Sequence, residues 1–194
     1  MSLIKDLLKN KPANKTIFSA SEIGQIVNYD SRQNLYSALN YAAEEQDLIR
    51  LTRGLYALDE TYSKLELGNK LRKPSYISLY TILQEKGVVF QYYDSIYLVA
   101  KKTTEIKIGN QRYIYRKVKD SILLNQLGLV NENSITKATL ERALCDKVYL
   151  NGDEYFDNLR NVNWVFMSEL NEKVYKNSKI DQFILKYKNA NTGY

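Results

Sequence analysis

The stretch from Asp30 to Leu58 constrains the fold of this chain more than any other. Ser31 suits the N-cap position of a helix, and apolar residues follow it at three- and four-residue spacing. This stripe, which we expect to pack inward, consists of Leu35, Ala38, Leu39 and Ala42. After Glu44 the pattern changes to alternation on both sides of Gly54, which predicts two short strands joined by a tight turn. The stretch therefore predicts an amphipathic helix followed directly by a β-hairpin.

The opposite face of this helix is polar, and the tip of the hairpin is basic. A polar-faced helix followed by such a hairpin is typical of the winged helix-turn-helix, which places one helix in the DNA major groove. Gln33 and Asn40 suit bidentate adenine contacts, Arg32 suits guanine or phosphate, and the hairpin suits phosphates or a minor groove. The residues expected to contact DNA are Arg32, Gln33, Tyr36, Ser37, Asn40, Arg50, Thr52 and Arg53. The alternative is that the same helix and hairpin form a protein-interaction module.

Two shorter helices are predicted ahead of this stretch. Residues 1–10 carry an apolar stripe of two helical turns, and Ser19 with Glu22 forms the capping-box pattern at the start of a second helix. The order helix, helix, turn, helix, hairpin is complete by Leu58. We therefore predict an α+β protein with a winged helix-turn-helix domain over residues 1–60 and a mixed α/β domain over residues 61–194.

Composition narrows the classes of function. The chain has no histidine and one cysteine, Cys145, so histidine-based triads, histidine-ligated zinc and an intrachain disulfide are excluded. Its carboxylates are scattered along the chain, which disfavours a metal-dependent nuclease. We expect no catalytic residues, no metal and no cofactor, and hence a protein that is not an enzyme. No signal-peptide pattern or long apolar run is present, so we expect a cytoplasmic protein without membrane association.

The net charge of +6 permits nucleic-acid binding, but it is not concentrated in the first domain. Residues 1–58 hold seven Lys or Arg against six Asp or Glu. The most basic segment is 101–119, where seven cations face one acid, Glu105. This segment is either a phosphate-contacting surface or dock for an acidic partner, or a solvated sheet face that protects an edge strand, and we favour the second.

Within residues 61–194 the pattern predicts helices and short strands in succession. We expect a helix over 59–73, a helix over 76–86 that ends at Gly87, and a helix over 139–150 in which Arg142 and Asp146 form an ion pair. Strands are expected over 88–91, 95–100, 104–108 and 112–118. The apolar run 122–130 is expected to close the sheet.

Three stretches resemble the AbiEi antitoxins of bacterial type IV toxin-antitoxin (abortive infection) systems. They are LIRLTRGLYAL at residues 48–58, KPSYISLYTIL at 73–83 and ATLERALCDKVYL at 138–150. The resemblance implies a winged helix that binds inverted repeats in the operon's own promoter, as a monomer or a dimer on DNA. It also implies a C-terminal domain that neutralises a cognate nucleotidyltransferase-like toxin. A stand-alone winged-helix regulator without antitoxin activity is the alternative.

Overall fold

The computed structural model describes residues 3–29 and 31–190 of a mixed α+β protein with two sheets. Asp30, the first residue of the stretch 30–58 that predicts a helix and a hairpin, lies outside the described residues. The chain divides into two compact units, Met1–Lys70 and Leu71–Tyr194. Each unit is described separately below.

The first unit combines helices with a small antiparallel sheet. Its helices are α1 (Leu3–Asn10), α2 (Ala20–Ile26), α3 (Arg32–Glu44) and α4 (Lys64–Leu71). Its strands are β1 (Ile17–Ser19), β2 (Ile49–Thr52) and β3 (Leu55–Ala57). Among the described residues these strands form a sheet in the order β1-β3-β2, so that the hairpin β2-β3 is joined at its β3 edge by the strand that precedes α2.

Local sequence signals account for the start of α2 and of α3. Ser19 Oγ accepts the Glu22 amide, and the Glu22 carboxylate accepts the Ser19 amide at 2.7 Å, which is the predicted capping box. Ser31 caps α3 through the amide of Asn34. The expected inward stripe is confirmed: Leu35, Leu39 and Ala42 are buried in the core of the unit, and Ala38 packs partly against it.

The first unit extends ten residues beyond the predicted boundary at residue 60, because α4 is tied to β1. The buried Glu66 carboxylate accepts the Thr16 amide at 2.8 Å, the Thr16 hydroxyl at 2.7 Å and the Ile17 amide at 3.2 Å. The helix predicted over 59–73 begins only at Lys64. Near the end of α4, the Lys70 ammonium binds the Glu22 carboxylate at 2.8 Å.

This charge cluster predicts a specific acid sensitivity. Burial raises the pKa of Glu22, but hydrogen bonds from Lys15 and Lys70 outweigh it and lower that pKa to about 2. Because the folded pKa lies below the usual 4.5, the stabilisation is complete above that value and is lost as the pH falls toward 2. We expect Glu22→Gln to cost about 1–2 kcal/mol at pH 7, after allowance for solvent screening, and to remove this part of the acid sensitivity.

Urea unfolding followed by circular dichroism between pH 7 and pH 2.5 measures this effect. The exposed Glu60, replaced by Gln, is the matched control and should leave the pH profile unchanged. Identical profiles for Glu22→Gln and the wild type would show that the cluster contributes nothing to acid stability.

The second unit is a mixed sheet with helices packed against it. Its strands are β4 (Ser75–Ile77), β5 (Ile96–Ala100), β6 (Thr104–Ile108), β7 (Gln111–Lys117), β8 (Leu129–Glu132) and β9 (Ile135–Ala138). Its helices are α5 (Tyr80–Glu85), α6 (Asp120–Leu123), α7 (Leu140–Asn151), α8 (Trp164–Leu170) and α9 (Ser178–Ala190), with a π-helical turn at Asn171–Tyr175. The strand order is β6-β7-β5-β4-β9-β8, in which β4 with β9 and β5 with β7 are parallel and the other neighbours antiparallel.

Three predictions for this unit are wrong, for a common reason. The segment 76–86 is not one helix but β4 followed by α5, the segment 88–91 is not a strand, and the run 122–130 contains the end of α6 and the start of β8. Short apolar runs do not distinguish strand from helix by periodicity alone. The partners of β4 decide its conformation, and Ile77 pairs with Leu98 on one side and with Lys137 on the other.

A buried polar cluster links β4, α7 and the π-helical turn. The Asp146 carboxylate accepts the hydroxyls of Tyr76 at 2.9 Å, Ser78 at 2.7 Å and Tyr175 at 2.7 Å. The predicted direct ion pair between Arg142 and Asp146 is wrong, because the Tyr76 hydroxyl lies between them and accepts Arg142 Nη2 at 3.3 Å. The Arg142 guanidinium instead donates to the carbonyls of Ile122 and Leu127, at 2.6 and 2.7 Å. Burial raises the pKa of Asp146, while Arg142 and the hydroxyl donors oppose that rise.

Candidate nucleic-acid interface

Helix α3 and the β2-β3 hairpin enclose a groove of about 540 Å³ in the first unit. Its walls come from one side of α3 and from the end of the hairpin. The residues that line it are Arg32, Tyr36, Asn40, Arg50, Arg53 and Gly54. Five of these are residues that the sequence selected for DNA contact, and the fold brings them together across a separation of up to 21 positions in the chain.

The connections at both ends of the hairpin hold it beside α3. The Ala42 carbonyl accepts the amides of Asp47 at 2.9 Å and Leu48 at 3.1 Å, so the chain reverses at once from α3 into β2. At the tip, Gly54 has a φ of +78°, a conformation that costs glycine little, and its carbonyl accepts the Ala20 amide at 3.0 Å. This hydrogen bond anchors the tip to the first turn of α2 and fixes the position of the backbone that carries the hairpin arginines.

The groove concentrates positive charge, although residues 1–58 as a whole carry nearly equal numbers of basic and acidic residues. All three charged residues lining it are arginines, and Arg32, Arg50 and Arg53 are exposed to solvent. Arg32 lies over the ring of Tyr36, with its guanidinium carbon 5.7 Å from the ring centre, which favours an orientation along the groove. Guanidinium groups bind phosphate oxygens or guanine edges, and the Asn40 amide can pair with adenine. The groove can therefore hold a phosphate backbone and read bases next to it.

Gln33, Ser37 and Thr52 do not line the groove. Gln33 and Ser37 are exposed on α3, one position on from Arg32 and Tyr36, and therefore about 100° around the helix from them. Thr52 is half-buried where the β2-β3 pairing is irregular. The polar residues of α3 thus form two adjacent rows, one facing the hairpin arginines and the other facing solvent.

A second groove of about 440 Å³ lies between α2 and α3, on the other side of Arg32. Ser21, Gln25 and Asn28 line it, and none of them is among the residues predicted to contact DNA. Ser21 and Gln25 lie four residues apart on α2, opposite the buried Ile23, which is the spacing that indicates a polar helix face, whereas Asn28 follows the end of the helix. The two helices can approach closely because Gly24 has no side chain. A Cβ atom at this position would lie only 2.7 Å from a methyl group of Leu35.

No protein-family model matches this chain, and no curated protein matches it significantly.

Three further observations concern membrane spans, metal sites and nucleophiles. Within residues 3–29 and 31–190, no helix is both long and apolar enough to cross a membrane. In the same part of the chain no three carboxylate or cysteine side chains converge as a metal site would require. Burial raises the pKa of the Cys145 thiol, which holds it in the protonated form, unsuited to nucleophilic attack.

The stretches at 73–83 and 138–150 meet in the buried cluster of the second unit. Tyr76 and Ser78 belong to the stretch at 73–83, whereas Arg142 and Asp146 belong to the stretch at 138–150. The carboxylate of Glu141, also in that stretch, accepts the Asn163 amide at 3.0 Å and takes no part in the cluster. Tyr76, Ser78, Arg142 and Asp146 therefore organise the interior of the unit.

Proposed function

We propose that the first unit is a winged helix-turn-helix that binds operator DNA and represses transcription of its own operon. The observation that carries this proposal is the groove between α3 and the hairpin, which three arginines line together with Tyr36 and Asn40. In this arrangement α3 enters the major groove, where Gln33 and Asn40 contact adenines. The hairpin is the wing, and Arg50 and Arg53 contact phosphates beside it.

The arrangement of the first unit supports this proposal. The helices α1 to α3 precede the hairpin, and β1 completes a sheet at the β3 edge of that hairpin. The exposed side of α3 is polar, while its apolar side is buried in the unit's core. The exposed polar side chains of α3 lie next to three arginines, which places groups that can pair with bases beside cations that can hold phosphates.

We further propose that the second unit confers antitoxin activity against a nucleotidyltransferase-like toxin. Its support is the resemblance of the stretches at 73–83 and 138–150 to AbiEi antitoxins, together with their meeting in one buried cluster. Co-expression with the proposed cognate toxin tests that half of the proposal. Growth that is restored by the full chain supports it, and growth arrest despite normal expression contradicts it.

The decisive experiment for the first unit is a binding titration against the chain's own upstream DNA and against a scrambled duplex, each at two salt concentrations. Tight, selective and salt-sensitive binding is the expected result, because phosphate contacts release counterions and base contacts discriminate between the two duplexes. Inverted repeats would be occupied by two copies of the chain, which the stoichiometry of the titration measures. Equal, weak binding to both duplexes would favour the protein-interaction module.

Substitutions in α3 and in the hairpin should have different effects on this titration. Gln33→Ala or Asn40→Ala is expected to cost about 1–3 kcal/mol on the operator and to relax its sequence preference, because base contacts are lost. Arg53→Ala is expected to weaken binding to all sequences alike and to reduce the salt slope by about one unit.

Arg160→Ala is the matched control for Arg53, since it removes the same charge from an exposed position of the second unit. It should leave both the affinity and the salt slope unchanged. If the α3 and hairpin variants all bind the operator as the wild type does, α3 is not the recognition helix.

A further inference from the structure

A basic groove of about 460 Å³ lies in the second unit, at one end of the sheet. It is lined by Arg72, Lys73, Pro74, Ala100, Lys101, Lys102, Thr103 and Thr104. All of its charged lining residues are basic, and two threonine hydroxyls stand beside them. The proposed function makes no use of this groove.

Sheet topology brings these cations together. Arg72 and Lys73 immediately precede β4, whereas Lys101 and Lys102 immediately follow β5. The two strands are antiparallel, with Ser75 directly opposite Ala100, so the residues before one strand meet those after the other. Four cations therefore converge on one cavity although they lie about 30 residues apart in the chain.

The loop that carries two of these cations is fixed in place. Thr103 Oγ1 accepts the Lys117 amide at 3.1 Å, and the Ala100 carbonyl accepts the Val118 amide at 3.3 Å. Both bonds attach the loop to the end of β7, the strand between β5 and β6. The backbone that carries these cations is therefore held in place before any ligand binds, which lowers the entropic cost of binding.

Acidic side chains do little to neutralise the groove. Among the described residues the ion pair formed by its cations joins Lys101 to Asp120, at 3.4 Å, and both of those side chains are more than half exposed. Arg72 donates to the Leu71 carbonyl at 3.4 Å, and Lys73 and Lys102 lie exposed beside it. Like charges held close together around a concave surface repel one another, and an anion bound between them relieves that repulsion.

We propose that this groove binds a compact polyphosphate, either inorganic or the phosphate tail of a nucleotide. Ammonium and guanidinium groups are the usual ligands of phosphate oxygens, and threonine hydroxyls add neutral donors. The shape favours a small ligand over a duplex, because its cations surround one cavity, whereas duplex DNA presents phosphates along an extended backbone. The proposal concerns the second unit alone and does not depend on DNA binding by the first.

Isothermal titration calorimetry of the full chain with inorganic tripolyphosphate tests the proposal. ATP and inorganic phosphate are titrated in parallel. We expect saturable binding of tripolyphosphate that weakens at least about tenfold in the double variant Lys73→Gln/Lys102→Gln. Asp120→Asn should strengthen binding, because it removes the carboxylate that competes for Lys101. Equal affinities for ATP and tripolyphosphate would identify the phosphates alone as the ligand, and a higher affinity for ATP would identify a nucleotide.

The matched control is the double variant Lys107→Gln/Lys119→Gln, which removes the same charge from the basic segment 101–119 but outside the groove. An equal loss of affinity in this control would show that bulk charge and not the groove binds the ligand, and would overturn the proposal. So would an absence of saturable tripolyphosphate binding, or a double groove variant that weakens only duplex DNA binding. Operator binding by the groove variants is measured separately. This measurement distinguishes failure of the polyphosphate proposal from failure of the proposed repressor function.

Discussion

Replacing Asp146 with alanine is expected to lower the free energy of unfolding of the second unit by about 3–5 kcal/mol. The carboxylate is fully buried and accepts hydroxyls from Tyr76, Ser78 and Tyr175. Its removal leaves three donors without their acceptor and the buried Arg142 charge without its nearest counter-charge. Arg142 lies between the rings of Tyr76 and Tyr175, at 5.3 and 5.2 Å, and so has no route to solvent without disrupting the core.

The single tryptophan of the chain makes this measurement selective. Trp164 lies at the start of α8, 6.3 Å from the ring of Phe183, so its fluorescence during urea unfolding reports on the second unit. Glu169→Gln is the control, because it breaks an exposed ion pair with Lys173 and should unfold at nearly the same urea concentration as the wild type. An Asp146→Ala protein that unfolds at the wild-type urea concentration would show that the cluster does not stabilise the unit.

Replacing Glu66 with alanine is expected to destabilise the first unit by about 3 kcal/mol. The loss removes the acceptor for the Thr16 amide, the Thr16 hydroxyl and the Ile17 amide, and it leaves Lys70 without one of its two carboxylate neighbours. Because β1 pairs with β3, loosening β1 should also loosen the hairpin that carries Arg53.

Amide hydrogen exchange at Ile17 measures this local effect. A loss of about 3 kcal/mol corresponds to a protection factor roughly 100-fold lower at Ile17, whereas amides in β5 of the second unit should be unaffected. Glu60→Ala, at an exposed position ahead of α4, should leave the exchange at Ile17 unchanged. Unchanged protection in Glu66→Ala would show that hydration or neighbouring groups replace the carboxylate without cost.

The first unit was largely predictable because its signals are local. The capping box at Ser19, the cap at Ser31 and the glycine turn at Gly54 each act within a few residues, and the inward stripe of α3 repeats within one helix. The candidate site was predictable for the same reason, since a polar row on α3 and a basic hairpin tip are visible in the sequence. The shape of the groove was not predictable from the sequence. The turn after α3 and the hydrogen bond from the Ala20 amide to the Gly54 carbonyl determine which polar residues of α3 face the hairpin arginines.

The second unit depends on contacts between residues that are far apart in the sequence. Ile77 is in a strand because Lys137 pairs with it, and Arg142 and Asp146 are buried because Tyr76 and Tyr175 complete their hydrogen bonds. A charged pair four residues apart on a helix reads as a surface ion pair when its neighbours are unknown. The sequence alone determined the α+β class, the order of the helices and the hairpin up to residue 58 and the polar face of α3, since these follow from short-range periodicity and capping. Only the tertiary structure decided that α4 belongs to the first unit, that the charges of α7 are interior and that four distant cations share a groove, because strand pairing and burial arise between segments that the chain keeps far apart.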